Sequence, residues 1–290
     1  MIDAALLPRV LQVCVTALVL AIGMQCTVGD LTWLWRRPRL LLRSVVAMYV
    51  LVPLVALAIA RLLPLPVEIK AAVLVVAISA GAPLVPRRLM PLRNDAYVFS
   101  LIATSSLLAI VTVPAWLAGL SVAFRVELSV GARDVAWLLG VTFFLPIVLG
   151  MGLRAASSGF ADRASELLLA VGGVVLLLTG LVLLGLGLPL LAEAGWLGLL
   201  VLGALTGAAL AIGHAMGGPD EENRTALAIA CATRHIGIAV LVAAAVPGVR
   251  TAVLVVAYVV ASTVASIPYV RWRKRFHAAE RARAPAGDEA

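Results

Sequence analysis

Long apolar runs dominate this chain. Stretches of about 20 apolar residues recur from Leu6 to Tyr269, and each is long enough to cross a hydrocarbon core of roughly 30 Å as a helix. Hydrophobic residues make up 63% of the sequence and charged residues 13%, which is outside the range of soluble globular chains. The sequence therefore predicts an all-α polytopic membrane protein, with no room for a sizeable soluble domain.

The apolar runs predict nine transmembrane helices. They lie near residues 7–31, 40–62, 67–90, 96–122, 135–153, 164–186, 195–215, 223–245 and 249–270. Residues 1–270 are accordingly predicted to form a single transmembrane domain. Residues 271–290 are predicted to form a basic, disordered tail.

The basic residues predict the orientation of these spans. With the N-terminus outside, sixteen Lys and Arg side chains fall in inside segments and six in outside segments. This bias follows the positive-inside rule, and the six Trp residues at span ends agree with it. We expect a bacterial inner-membrane protein with a cytoplasmic C-terminus. The net charge of +8 reflects this topology rather than nucleic-acid binding.

Two predicted spans contain breaks. The third holds the run Ser79-Ala-Gly-Ala-Pro83, in which Pro83 lacks a backbone donor and the small residues permit an unwound turn. The eighth holds polar residues and Gly237 where an ordinary span carries Leu or Val. The breaks lie about 155 positions apart in spans of opposite direction, a pattern typical of inverted-repeat transporters. Ordinary Pro or Gly kinks are the alternative.

The most informative charge is Arg234, in the break of the eighth span. A charged side chain at mid-bilayer depth costs a few kcal/mol and usually faces a cavity, a partner or a substrate path. Every acid from Asp3 to Glu289 falls in a loop, in a tail or near a span end. Arg234 either meets a substrate or only binds carbonyls of the unwound helix. The neighbouring His235 is interpreted as a hydrogen-bonded packing residue, with proton coupling as the alternative.

Three stretches resemble the bile acid:sodium symporter superfamily: residues 22–31, 78–83 and 230–239. The resemblance covers most of the chain. It implies a panel domain near residues 7–31, 135–153 and 164–186. It also implies a core domain near residues 40–122 and 195–270, in which two broken helices cross at mid-membrane.

The resemblance also implies where sodium ligands would lie, and this chain departs from them. Sodium-coupled members carry a Glu-x-x-x-Gln-Asn pattern in the second crossing helix. The matching positions here are Ala230, Arg234 and His235, so the acid is missing and a cation replaces the Gln.

The first half departs as well. A Ser-Asn pair of the family is replaced by Val85 and Pro86, and a Gln of the preceding helix falls at Met48. Only Ser100 and Thr104, one helical turn apart, keep the hydroxyls that would ligate sodium. Two hydroxyls beside an Arg are a poor sodium site.

These features and the resemblance predict a secondary transporter of a small organic anion, with a carboxylate or sulfonate group, that works by alternating access. The guanidinium would take the place of the sodium ion, so that sodium coupling is lost or reduced. The expected partners are the anion and membrane lipid, and the oligomeric state is left open. The predicted binding residues are Arg234, His235, Thr233, Ser79, Pro83, Ser100, Thr104 and Gln25.

Two other functions stay open at this stage. One is a proton-coupled or efflux carrier of the auxin-efflux or arsenite type, and the other is a non-transporting receptor for an organic anion. No phosphate loop, HExxH, Gly-x-Ser-x-Gly or metal-ligand pattern occurs in the sequence. Neither an enzyme nor a cofactor is therefore predicted.

Overall fold

The computed structural model describes residues 6–80, 95–124, 130–245 and 249–283, and over these ranges the chain is helical with no strand. The helices are α1 Leu6–Gln25, α2 Val28–Thr32, α3 Pro38–Val46, α4 Val52–Leu62, α5 Val67–Ile78, α6 Asp95–Phe124, α7 Ala132–Leu139, α8 Leu145–Ala156, α9 Ser158–Met216, α10 Glu221–Ala232, α11 Ile236–Ala245 and α12 Val249–Arg283. Wider π-helical turns, Ala47–Leu51 and Gly140–Phe144, join α3 to α4 and α7 to α8.

Several of these helices are long and apolar enough to cross a membrane. Within the described ranges there are five, namely Pro38–Leu62, Ala96–Phe124, Ala132–Ala156, Trp196–Met216 and Glu221–Ala243. A sixth is added if the bent pair at the start of the chain is counted as one span. The prediction of an all-helical polytopic membrane protein is confirmed, while nine spans and an inverted repeat stay predictions.

The first predicted span ends earlier than expected. The chain bends by 99° between Val13–Gln25 and Val28–Arg36, so α1 ends at Gln25 and residues 28–31 of the predicted span belong to the separate short helix α2. The physical reason is a capping box at the start of α2. The Thr27 hydroxyl accepts the Asp30 N–H at 3.2 Å, and the Asp30 carboxylate accepts the Thr27 N–H at 2.8 Å. Such a reciprocal pair satisfies the free N–H groups of a new helix.

The sixth and seventh predicted spans lie in one continuous helix, and the division into panel and core stays a prediction. α9 contains 59 residues, about 88 Å of helix at 1.5 Å per residue. Residues 187–194, predicted as a connection, carry a single charged residue, Glu193, among apolar ones. The stretch also contains Gly187 and Pro189, residue types that are common at helix ends, and α9 nevertheless runs through it.

The basic tail is also different from the prediction. α12 continues to Arg283, so residues 271–283 are helical rather than disordered, and residues 284–290 lie outside the described ranges. The buried side chain of Arg273 anchors the start of this extension: it donates to the Thr225 hydroxyl at 2.8 Å and pairs with the Glu221 carboxylate at 2.7 Å. These bonds attach the extension of α12 to the first turns of α10.

Helix α9 is the element against which α1, α10 and α12 pack, and α8 packs against α1. The approach of α9 to α10 is close at Gly213, where a Cβ atom would lie 2.5 Å from the Ala228 Cα. Only glycine fits at such a distance between two helix backbones. α10 is therefore held firmly, and its C-terminal end is where the eighth predicted span breaks.

Candidate functional site

The two predicted helix breaks are in direct contact. α5 ends at Ile78, and the backbone between α10 and α11 is non-helical from Thr233 to His235. The His235 N–H donates to the Ser79 carbonyl across a distance of 3.0 Å. The break in the eighth predicted span is confirmed; on the other side α5 ends at Ile78, residues 81–83 of the predicted break lie outside the described ranges, and one main-chain hydrogen bond joins Ser79 to His235.

Hydroxyl groups terminate the helices on both sides of this contact. The Ser79 hydroxyl donates to the Val75 carbonyl at 2.7 Å, and the Thr233 hydroxyl donates to the Ile229 carbonyl at 2.8 Å. These bonds to the preceding turn are the usual use of Ser and Thr in buried helices. Each hydroxyl keeps the capacity to accept a hydrogen bond from a ligand.

The imidazole of His235 caps the following helix. Its Nδ1 accepts the Ile238 N–H at 3.2 Å, and the side chain is buried. A ring nitrogen that accepts a hydrogen bond carries no proton, so in this arrangement the proton of the neutral ring lies on Nε2. The geometry matches the interpretation of His235 as a hydrogen-bonded packing residue.

Arg234 is a buried cation whose bonding is incomplete. Only 3% of the residue is exposed. Its Nη1 donates to the Met48 carbonyl at 3.4 Å, a distance at the long end for a hydrogen bond. Its Nη2 is buried without a hydrogen-bond partner in the described part of the chain. No ion pair of Arg234 is found there either.

The surroundings of the guanidinium are polar but uncharged. Three buried side chains lie near it, Tyr49, Cys231 and Tyr258, and the Tyr258 phenol also interacts with the guanidinium through a side-chain hydrogen bond. The Tyr258 hydroxyl, from α12, donates to the carbonyl of Ala232 at the end of α10. The sequence prediction did not include these groups. The available signal was a Tyr within an apolar span, because a buried phenol needs a hydrogen-bond partner.

The hydroxyls of Ser100 and Thr104 have other partners. The Ser100 hydroxyl donates to the Leu31 carbonyl at 2.7 Å and accepts the Leu34 N–H at 2.9 Å. The Thr104 hydroxyl accepts the indole N–H of Trp35 at 2.9 Å. Both residues of α6 thus hold the segment that follows the bend after α1. Their role as sodium ligands stays a prediction.

The remaining predicted site residues lie apart from Arg234 in the bonding pattern. The Gln25 side-chain amide donates to the Ser165 hydroxyl of α9 at 3.2 Å, and Pro83 lies outside the described residues. The structure therefore brings together four of the predicted residues, namely Ser79, Thr233, Arg234 and His235. Over the described ranges, no group of three His, Cys, Asp or Glu side chains could hold a metal ion.

Comparison with known proteins identifies the family. A family model described as the Sodium Bile acid symporter family matches residues 12–194, more than half of the 290 residues. The matched range contains Gln25, Ser79, Ser100 and Thr104, and it ends before Arg234. Among curated proteins, none matches this chain. The chain belongs to the sodium bile acid symporter family of membrane transporters.

Proposed function

We propose that this protein is a secondary transporter that carries a small organic anion, of the carboxylate or sulfonate type, by alternating access, with sodium coupling lost or reduced. Family membership supports the general activity. The observation that carries the rest is the buried Arg234 guanidinium at the contact of the two breaks, with Nη2 unbonded within the described chain.

The chemistry of the guanidinium favours an anion. Arg presents five N–H donors in a planar fork that matches two oxygens of a carboxylate or sulfonate. A buried donor without an acceptor costs about 1–3 kcal/mol, and an anionic oxygen would remove that cost. The N-terminal end of α11, which begins at Ile236, adds partial positive charge at the same break.

The same features disfavour a sodium ion beside Arg234. A permanent positive charge repels a cation, and no side-chain carboxylate within the described ranges pairs with it. The Ser100 hydroxyl, which the resemblance assigns to sodium, already uses its proton and one lone pair in backbone bonds. This supports the proposal that substrate charge is balanced by the protein rather than by co-transported sodium.

Uptake into proteoliposomes tests the proposal, with radiolabelled benzoate, benzenesulfonate, cholate and taurocholate as probes. Arg234→Gln should lower uptake of the transported probe at least about tenfold, because a charge-assisted hydrogen bond is lost. Arg163→Gln is the matched control, since Arg163 is exposed on α9. Wild-type uptake should be similar in sodium and potassium buffers.

Three results would contradict the proposal. Strict dependence of uptake on sodium would remove the argument for altered coupling. Full uptake by Arg234→Gln would show that the guanidinium is structural only. Binding of a probe without counterflow of labelled probe would favour a receptor over a carrier.

A further inference from the structure

We propose that Pro53 is a positioning residue for Arg234, because it leaves the Met48 carbonyl without a backbone donor and so makes it available to the guanidinium. This inference rests on the proposed function, in which Arg234 binds the transported anion. It concerns a residue that never touches the anion.

The backbone of the second predicted span explains the free carbonyl. In the π-helical turn Ala47–Leu51, the Val52 N–H donates to the Ala47 carbonyl, five residues back. The next donor in that pattern would be residue 53, directed at the Met48 carbonyl. Proline has no N–H, and the Val52 N–H is already used. The Met48 carbonyl therefore lacks a helical partner, and Arg234 Nη1 donates to it at 3.4 Å.

The Tyr49 carbonyl, in the same turn, also receives its hydrogen bond from a side chain of another helix. In an α-helical pattern the N–H of residue 53 would reach the Tyr49 carbonyl, four residues back. The indole N–H of Trp116, from α6, donates to that carbonyl at 2.9 Å. Buried carbonyls are rarely left unpaired. The π-helical shift and the missing N–H of Pro53 together leave two carbonyls open, and Arg234 and Trp116 each supply a donor to one of them.

The consequence for Arg234 is a preferred orientation of the guanidinium. The guanidinium is planar, so holding Nη1 on one carbonyl restricts the positions that Nη2 can take. The long Arg234–Met48 bond engages one nitrogen weakly and leaves Nη2 as the buried nitrogen without a partner in the described chain. Without the carbonyl, the side chain would occupy several rotamers, and part of the anion's binding free energy would be lost in ordering it.

The chain offers a matched control for this inference. The π-helical turn Gly140–Phe144 is followed at the same spacing by Pro146, and the Leu145 N–H donates to the Gly140 carbonyl. Pro146 thus repeats the local backbone chemistry of Pro53. The carbonyl that it leaves open belongs to Val141, a residue that is 39% exposed.

The experiment measures uptake kinetics of the transported probe among benzoate, benzenesulfonate, cholate and taurocholate. Pro53→Ala restores the N–H and should raise the KM about fivefold with Vmax changed by less than about twofold, because anion binding is affected more than the transport step. Pro146→Ala should leave the KM unchanged. Pro53→Val serves the same purpose with a side chain closer to the volume of proline, should Pro53→Ala accumulate poorly.

An ester at position 53 separates the missing donor from the rigidity of the ring. The α-hydroxy analogue of valine, introduced by nonsense suppression, has no N–H and should return the KM to the wild-type value. A raised KM in this ester variant, or equal KM values for Pro53→Ala and Pro146→Ala, would overturn the inference while leaving the effect of Arg234→Gln intact. Unchanged uptake by Arg234→Gln would instead overturn the proposed function.

Discussion

Ser100 carries a hydroxyl of the kind that can ligate sodium, but this hydroxyl is used in hydrogen bonds to the backbone. Its hydroxyl donates to the Leu31 carbonyl and accepts the Leu34 N–H, and the side chain is fully buried. These two bonds attach the segment after the bend to α6. The hydroxyl is therefore first a support for the backbone, and any ion that bound it would compete with that support.

We expect Ser100→Ala to destabilise the protein by about 1–3 kcal/mol, because a buried carbonyl and a buried N–H lose their partner together. Thermal unfolding in detergent would measure this as a lower Tm. Ser262→Ala is the control, since the Ser262 hydroxyl donates to the Val259 carbonyl in an exposed part of α12. Equal Tm values for Ser100→Ala and the wild type would contradict this assignment.

The sequence was sufficient to identify Arg234 but not its partner. A charge within an apolar span is visible in the sequence itself, and the polar run around it predicts the break. The acceptor is the backbone carbonyl of Met48, which no side-chain pattern can reveal. The signal that was available is Pro53, since a proline within a span leaves a carbonyl one turn earlier without its donor.

At the scale of elements, the extension of α12 depends on one buried charge. Arg273 is 1% exposed and makes three contacts with the start of α10, two to Glu221 and one to Thr225. Glu221 also pairs with Arg224 at 2.9 Å. A single carboxylate thus joins two helices at the edge of the predicted inner surface.

We expect Arg273→Gln to lower the free energy of unfolding by about 2–3 kcal/mol, less than for a fully buried pair because the Glu221 side chain is 30% exposed. Chymotrypsin should then cleave faster after Trp272 and Phe276, measured by mass spectrometry of the fragments. Lys274→Gln, at an exposed position of the same helix, should behave like the wild type. Unchanged cleavage of Arg273→Gln would show that the extension is held by other contacts.

Helix boundaries were predicted well where an apolar run ends in charged or polar residues, and less well elsewhere. The second and fifth predicted spans agree with Pro38–Leu62 and Ala132–Ala156. The first was drawn too long because its apolar run continues past the Thr27 capping box. The tail was assigned as disordered because the sequence does not show that Arg273 has a partner in α10.

At the scale of the whole molecule, the distribution of basic residues sets the orientation that we propose, with the C-terminus in the cytoplasm. Green fluorescent protein fused after Ala290 should fluoresce in bacterial cells, and alkaline phosphatase fused there should be inactive. Alkaline phosphatase fused after Gly131, in the segment between α6 and α7, should be active because that segment is predicted to lie outside. The reverse pattern would contradict the orientation.

The apolar runs were sufficient to predict the general class of the molecule, but they did not predict how many separate helices it contains. Apolar runs long enough for a bilayer predicted a polytopic helical protein, which the structure and the family match support. The sequence offers Gly187 and Pro189 between the sixth and seventh predicted spans, yet α9 passes through both as one helix. Gly and Pro within a long hydrophobic run were therefore not sufficient to mark a helix end.

The hydrogen bond between the His235 N–H and the Ser79 carbonyl has a consequence for how this protein can change over evolution. It consists only of main-chain atoms, so every substitution except proline at position 235 keeps the two groups that form it. The meeting of the two breaks can therefore persist while the side chains around it are exchanged. Side chains that line the contact can thus change in charge and size while the backbone that positions them stays in place.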